Sequence, residues 1–127
     1  MGKLAVCAFG GNALLQSNQK GTIYEQEDNA TRACKNLLPL IKKGYNLVLS
    51  HGNGPQVGNI MLRNDAGHRL YNIEEMPLDI CVADSQGGIG YMIERILRNV
   101  LKENKIEKDV LTMVTPVLID DKDPAFS

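Results

Sequence analysis

Two short stretches carry residue types at spacings that suggest chemistry. The first is the apolar run Asn46-Leu-Val-Leu-Ser50, which stops at His51-Gly-Asn-Gly-Pro-Gln-Val-Gly58. Leu47, Val48 and Leu49 form the continuous run of a strand buried on both faces, as in a parallel sheet. Gly52 and Gly54 permit a tight turn, and Pro55 suits the first position of a helix, where its missing N–H costs nothing. Strand, turn and helix start together expose unpaired N–H groups at the positive end of a helix dipole, which bind an anion without any charged side chain. Asn53 adds an amide donor at the tip. The same residues also suit a plain sharp turn, which is common between strand and helix in α/β folds.

The device occurs twice, because Lys3-Leu-Ala-Val-Cys-Ala-Phe9 is a second apolar run and ends in Gly10-Gly11-Asn12. Parallel strands joined by a crossover helix deliver their C-terminal ends to one edge, where open α/β sheets bind ligands. Two facing rows of N–H donors suit a phosphoryl group flanked by other oxygens, and preorganised donors of this kind serve phosphoryl-transfer catalysts. The spacing is neither the dinucleotide G-x-G-x-x-G nor the P-loop G-x-x-x-x-G-K-[ST], so the anion is expected to be smaller, or held differently, than a dinucleotide or a P-loop nucleotide.

The elements that must position these turns follow from pattern. Thr22-Ile-Tyr-Glu25 fits a capping box, and Ala30, Ala33, Cys34, Leu37, Leu38 and Ile41 recur on one helical face. Pro39 predicts a bend, and Lys42-Lys43-Gly44 reads as a cationic last turn with a glycine cap, so residues 3–50 form one β-α-β unit. Between the first turn and this helix, Ser17-Asn-Gln-Lys-Gly21 is a polar loop, either closing over a ligand or simply solvated. A short helix is expected from Pro55 to about Leu62. Arg63 to Glu75 shows no sustained period and reads as a loop whose Arg63, His68 and Arg69 either reach an anion or face water. Pro77 restarts a helix, interrupted by Gly87, Gly88 and Gly90, which mark either a close approach of another backbone or ligand or a break between two helices. Ile89, Met92, Ile93, Ile96, Leu97, Val100 and Leu101 form a core stripe. Val110 to Val114 is expected as a third strand, with Thr115-Pro116 either a kink or a sheet-edge passage before Val117–Ile119 and an acidic turn, Asp120 to Pro124, either solvated or metal-binding.

Composition excludes several classes. With 127 residues, 43% hydrophobic and 23% charged, the chain is expected to be one globular domain with a real core. A formal net charge of −1 without a basic run argues against nucleic acid, and no apolar stretch reaches membrane-spanning length. Three cysteines, Cys7, Cys34 and Cys81, lie in apolar patterns without C-x-x-C, so buried thiols in a reduced, cytoplasmic setting are expected and no metal site is.

Four runs, in this order, resemble a known family: Phe-Gly-Gly-Asn-Ala (9–13), Ser-His-Gly-Asn-Gly-Pro-Gln-Val-Gly-Asn (50–59), Met-Pro-Leu-Asp (76–79) and Ser-Gln-Gly-Gly-Ile-Gly-Tyr (85–91). The chain is similar to the amino-terminal part of the carbamate kinases, of the amino acid kinase fold. The resemblance implies a three-layer α-β-α fold with a mostly parallel sheet, and residues 1–127 as a single carbamate- and phosphoryl-acceptor lobe without the nucleotide lobe. It implies the reaction ATP + carbamate ⇌ ADP + carbamoyl phosphate, in arginine and carbamoyl phosphate metabolism, with ATP and Mg²⁺ as cofactors and a homodimer as the assembly. Gly10, Gly11, Asn12, Gly52, Asn53 and Gly54 would hold the phosphoryl and carbamoyl groups, while the catalytic cations are expected downstream of Ser127 and this lobe alone is expected to be inactive. His51 is left out of the set. Two alternatives stay open, another amino acid kinase of the acetylglutamate kinase kind, and a non-catalytic anion-binding or dimerisation module.

Overall fold

The computed structural model describes residues 2–120 and 122–124, and of Asn12 the backbone alone. In chain order the elements are β1 (Leu4–Phe9), α1 (Gly11–Leu14), α2 (Ile23–Lys42), β2 (Asn46–His51), α3 (Gly54–Tyr71) and α4 (Leu78–Glu103). β1 and β2 pair in parallel, from Leu4 opposite Asn46 to Phe9 opposite His51, so both strands end at the same edge. The α/β class with a parallel sheet holds.

Side-chain alternation sorts the two faces of this sheet. Cys7, Phe9, Leu47 and Leu49 point into a core built by Ala30, Cys34, Leu37 and Ile41 of α2 and by Ile89, Met92, Ile93, Ile96, Leu97, Val100 and Leu101 of α4. Each fully buried Leu, Ile or Phe there contributes about 1.5–3 kcal/mol over its exposed state, so this interface is what holds the strands in place. On the opposite face Leu4, Val6 and Val48 stay 63%, 71% and 48% exposed. Of the three layers expected, the described residues show the sheet and the helical layer on one of its faces.

Local chemistry sets the helix ends. Thr22 and Glu25 form the expected reciprocal capping box: the Glu25 amide donates to Thr22 Oγ1 (3.3 Å) and the Thr22 amide to Glu25 Oε2 (2.9 Å). Those bonds, the Thr22 backbone first, hold the Glu25 carboxyl below its ordinary value of 4.5. Gly44, at φ 81°, closes α2: its amide donates to Ile41 O (2.9 Å) and that of Tyr45 to Leu40 O (3.2 Å), the Schellman pair. α4 ends in the same way, but with Lys105 at φ 56° in the left-handed position. Lys105 donates to Lys102 O and Ile106 to Leu101 O, each at 3.0 Å.

Three expectations are corrected. The helix after the second turn does not stop near Leu62 but runs to Tyr71, so Arg63 to Tyr71 is helix rather than loop. It buries none of its residues, which is why no period announced it; local bonds such as the Arg69–Asp65 pair (2.9 Å) and a left-handed Asn72 cap support it instead. The three glycines do not break α4, which is continuous. The third strand is absent: residues 106–120 have no regular structure. Segment 108–115 lies instead along α4, where Arg98 donates to Val110 O (2.7 Å) and the Thr115 amide to Gln86 Oε1 (2.9 Å). A cavity of about 390 Å³ lies between this segment, β2 and α4, so the segment's backbone groups turn to side chains of α4 rather than to the edge of β2.

Candidate active site

Both glycine turns sit at the C-terminal edge of the sheet, because the parallel register ends Phe9 beside His51. Between them lies a cavity of about 340 Å³, lined by Gly11, Leu14 and Leu15 from the first turn and by Gly52, Asn53, Gly54, Pro55 and Gln56 from the second, with Gln16, Ser17 and Gln19 of the polar loop along one side. Of the residues singled out from sequence, Gly11, Gly52, Asn53 and Gly54 are thus brought together. Gly10 stands next to them as the N-cap of α1. The side chain of Asn12 lies outside the described residues, as does Asp121 of the acidic turn.

The donors are backbone groups. Gly54 and Gln56 begin α3 with N–H groups that have no acceptor among the described residues, Pro55 between them has no N–H, and Val57 is the first to find a backbone acceptor, Asn53 O at 2.9 Å. A Cβ added at Gly10, Gly11, Gly52 or Gly54 would meet nothing within 4 Å. At each of these glycines the space a side chain would fill is open, and Gly11, Gly52 and Gly54 line the cavity. Among the described residues the cavity wall contains no lysine or arginine, so these residues offer neutral dipoles only.

The frame around the turns is polar and satisfied. Asn29, 3% exposed, donates to Leu14 O (3.2 Å), exchanges hydrogen bonds with the Gln19 amide and accepts from Arg32. It thereby pins both the first turn and the loop to α2. Gln26 donates to Gly21 O (2.9 Å) and accepts from the Gln56 side chain (3.0 Å), joining the loop's end to the start of α3. Asn53 does not cap its own helix; its Nδ2 donates across to Ser85 Oγ of α4 at 2.8 Å. The loop from Ser17 is therefore part of the wall, not a detached solvated segment.

Other polar candidates fall elsewhere. His51 faces the cavity beside segment 108–113, with Nδ1 at 3.1 Å from Gly52 O. Arg63, His68 and Arg69 lie on α3 and none lines the site. Among the described residues no group of three or more His, Cys, Asp or Glu side chains is placed to hold a metal. The cysteines are unpaired; Cys34 and Cys81 are buried, and burial pushes the Cys34 thiol up to about 11. Sequence reasoning missed the pairing of Asn53 with Ser85 and of Gln26 with Gln56, partners 30 or more residues apart in the chain, and no local pattern signals such pairs.

No family model matches the chain. It is 49% identical over 126 residues to a carbamate kinase of Pyrococcus horikoshii and 43% identical over 126 residues to carbamate kinase 1 of Enterococcus faecium, in each case over 99% of this chain and 40% of the relative. A solved structure of a Giardia lamblia carbamate kinase bound to AMP-PNP superposes with a TM-score of 0.92 at 45% identity, covering 98% of this chain and 43% of that one. The chain thus spans about two fifths of the length of the relatives it matches. Matched in sequence and in fold along nearly all of its residues, the chain belongs to the carbamate kinase family, as its amino-terminal part.

Proposed function

We propose that this chain forms the carbamate- and phosphoryl-binding part of a carbamate kinase, the whole enzyme catalysing ATP + carbamate ⇌ ADP + carbamoyl phosphate. The observation that carries this reading is the single cavity of about 340 Å³ shared by the two glycine turns. A volume of that order holds a molecule the size of carbamoyl phosphate. Backbone donors from Gly10, Gly11 and Asn12 on one side and Gly52, Asn53 and Gly54 on the other would hold its phosphoryl and carbamoyl oxygens. The glycines let the ligand approach the backbone directly, and the start of α3 adds the dipole that favours an anion.

The nucleotide does not fit these residues. A triphosphate with Mg²⁺ needs cations and carboxylate ligands, and among the described residues the wall has no Lys, Arg, Asp or Glu. ATP and Mg²⁺ would be held by residues outside this chain. That shortage favours a second reading in which residues 1–127 alone bind the anion without turning it over. Phosphoryl transfer is served by charges that neutralise the equatorial oxygens, and one arginine can be worth about 10³–10⁵ in rate. A cytoplasmic setting agrees with the free cysteines.

A homodimer is part of the proposal, on different ground from the sequence argument. The stripe from Ile89 to Leu101 is consumed by the chain's own core, whereas Leu70, Tyr71, Ile73, Leu78 and Ile80 are exposed around the end of α3 and the start of α4. A second copy covering that patch predicts a dimer by light scattering.

Isothermal titration with carbamoyl phosphate tests the site. Asn53→Ala should weaken binding by about 1–3 kcal/mol, the range for a hydrogen bond to a charged partner. A folded Asn53→Ala variant that binds as the parent does would place the site elsewhere. A coupled assay for ATP formation from ADP and carbamoyl phosphate should show no turnover by residues 1–127; activity abolished by Asn53→Ala would mean that cations of this chain act in catalysis.

A further inference from the structure

Asn53 is in the position that an asparagine ordinarily uses to cap its own helix, with its side-chain oxygen accepting from an amide of the first turn. It does not do so. Its Nδ2 instead donates to Ser85 Oγ, 32 residues away on α4, at 2.8 Å. Ser85 is 3% exposed, and its hydroxyl proton is committed to Val82 O at 2.6 Å. With that proton engaged, Oγ can only accept from Asn53, so the direction of the bond is fixed. A buried hydroxyl satisfied on both sides is also costly to disturb.

The consequence lies at the start of α3. Pro55 supplies no N–H, so of the donors that Asn53 could cap, the amide of Gln56 is the one within the usual reach. If Asn53 left its φ −141°, ψ 7° for the extended backbone of a capping residue and turned its oxygen back to that amide, the end of the helix would be closed by its own side chain. From this geometry we infer that Ser85 is a positioning residue. It draws the Asn53 amide away from the helix end, keeps the Gln56 N–H open to the cavity, and presents the remaining Asn53 proton and oxygen to the bound group. This rests on the proposed anion site and adds to it the residue that keeps the site open.

The test separates the latch from the site. In residues 1–127, Ser85→Ala removes the acceptor while leaving a good helix former in α4. The Gln56 amide should then exchange with solvent about tenfold more slowly by hydrogen-exchange NMR, and carbamoyl phosphate should bind about tenfold more weakly by titration. Ser85→Thr, which restores the hydroxyl, should return both toward the parent values. A Ser85 with a purely structural role would loosen the first turn of α3 instead, raising Gln56 exchange. Unchanged or faster Gln56 exchange in a folded Ser85→Ala protein overturns the inference, as does slower exchange with undiminished binding. Slower exchange in Ser85→Ala, together with a parent that binds no carbamoyl phosphate, upholds the latch and overturns the anion site.

Discussion

Three glycines in one helix should give two different answers to the same substitution. α4 is continuous through Gly87, Gly88 and Gly90, so alanine at any of them recovers helix propensity of about 0.8–1 kcal/mol. At Gly87 and Gly88 an added Cβ meets nothing within 4 Å, and that gain should appear undiminished. At Gly90 the Cβ would stand 2.1 Å from Thr112 Cγ2 and 3.3 Å from both Thr112 Cβ and Oγ1. Turning the threonine relieves the Cγ2 contact but leaves its Cβ at 3.3 Å, so the backbone around Thr112 must still give by a few tenths of an ångström. Overpacking of this kind costs about 1–3 kcal/mol, enough to cancel the propensity gain and in most of that range to exceed it. Urea unfolding should therefore rank Gly88→Ala above the parent and Gly90→Ala at or below it, about 1–3 kcal/mol beneath Gly88→Ala. Fluorescence from a probe on Met113→Cys should report the displaced segment. A Gly90→Ala protein as stable as Gly88→Ala would refute the docking of Thr112 on α4, and a destabilised Gly88→Ala would mean that something occupies the space beside that glycine.

Four further outcomes follow from the helix ends and the core. Thr22→Ala should destabilise the protein by about 1 kcal/mol through loss of the α2 cap. Because the Glu25 carboxyl is held below 4.5 in the folded chain, its contribution is present above that pH and lost as pH falls through the lowered value; Glu25→Gln should flatten the acid limb of a urea midpoint series, and an unaltered limb would count against the box. Lys105→Gly should stabilise by about 1 kcal/mol in thermal unfolding, since a side chain in the left-handed region costs about 1–2 kcal/mol. With its thiol pushed up to about 11 by burial, Cys34 should resist iodoacetamide at neutral pH and react once urea unfolds the chain; prompt native-state labelling would show that α2 is not packed as described.

Legibility in the sequence followed burial and locality. α2 and the apolar stripe of α4 are readable because one face of each is buried, and burial writes a period into the chain. β1 and β2 are readable as continuous apolar runs, but the burial on both faces that such a run suggests is not found, since Leu4, Val6 and Val48 face outward among the described residues. The capping box and Gly44 were readable because their bonds span only a few residues. The two glycine turns were readable as turns, and their convergence followed from the parallel connection. α3 was underestimated because a helix that buries nothing carries no period. Val110 to Val114 has the composition of a strand, but strand structure also needs a partner edge; here Arg98 donates to Val110 O and Gln86 accepts from the adjoining Thr115 amide. The contacts that set the site, Asn53 with Ser85 and Gln26 with Gln56, join helices distant in sequence. A single serine or glutamine in a polar position gives no hint of which distant group it will meet.

The bare side of the two-stranded sheet has a colloidal consequence. Leu4, Val6 and Val48 form an apolar strip on extended backbone, and the outer edge of each strand is unpaired among the described residues. Short apolar edges of this kind template further strands. Chains meeting at high concentration will stack through this strip, so soluble yield of residues 1–127 falls with expression level, improves on cooling as hydrophobic association weakens, and is raised by a charged gatekeeper such as Val6→Lys, which leaves the core face of β1 untouched.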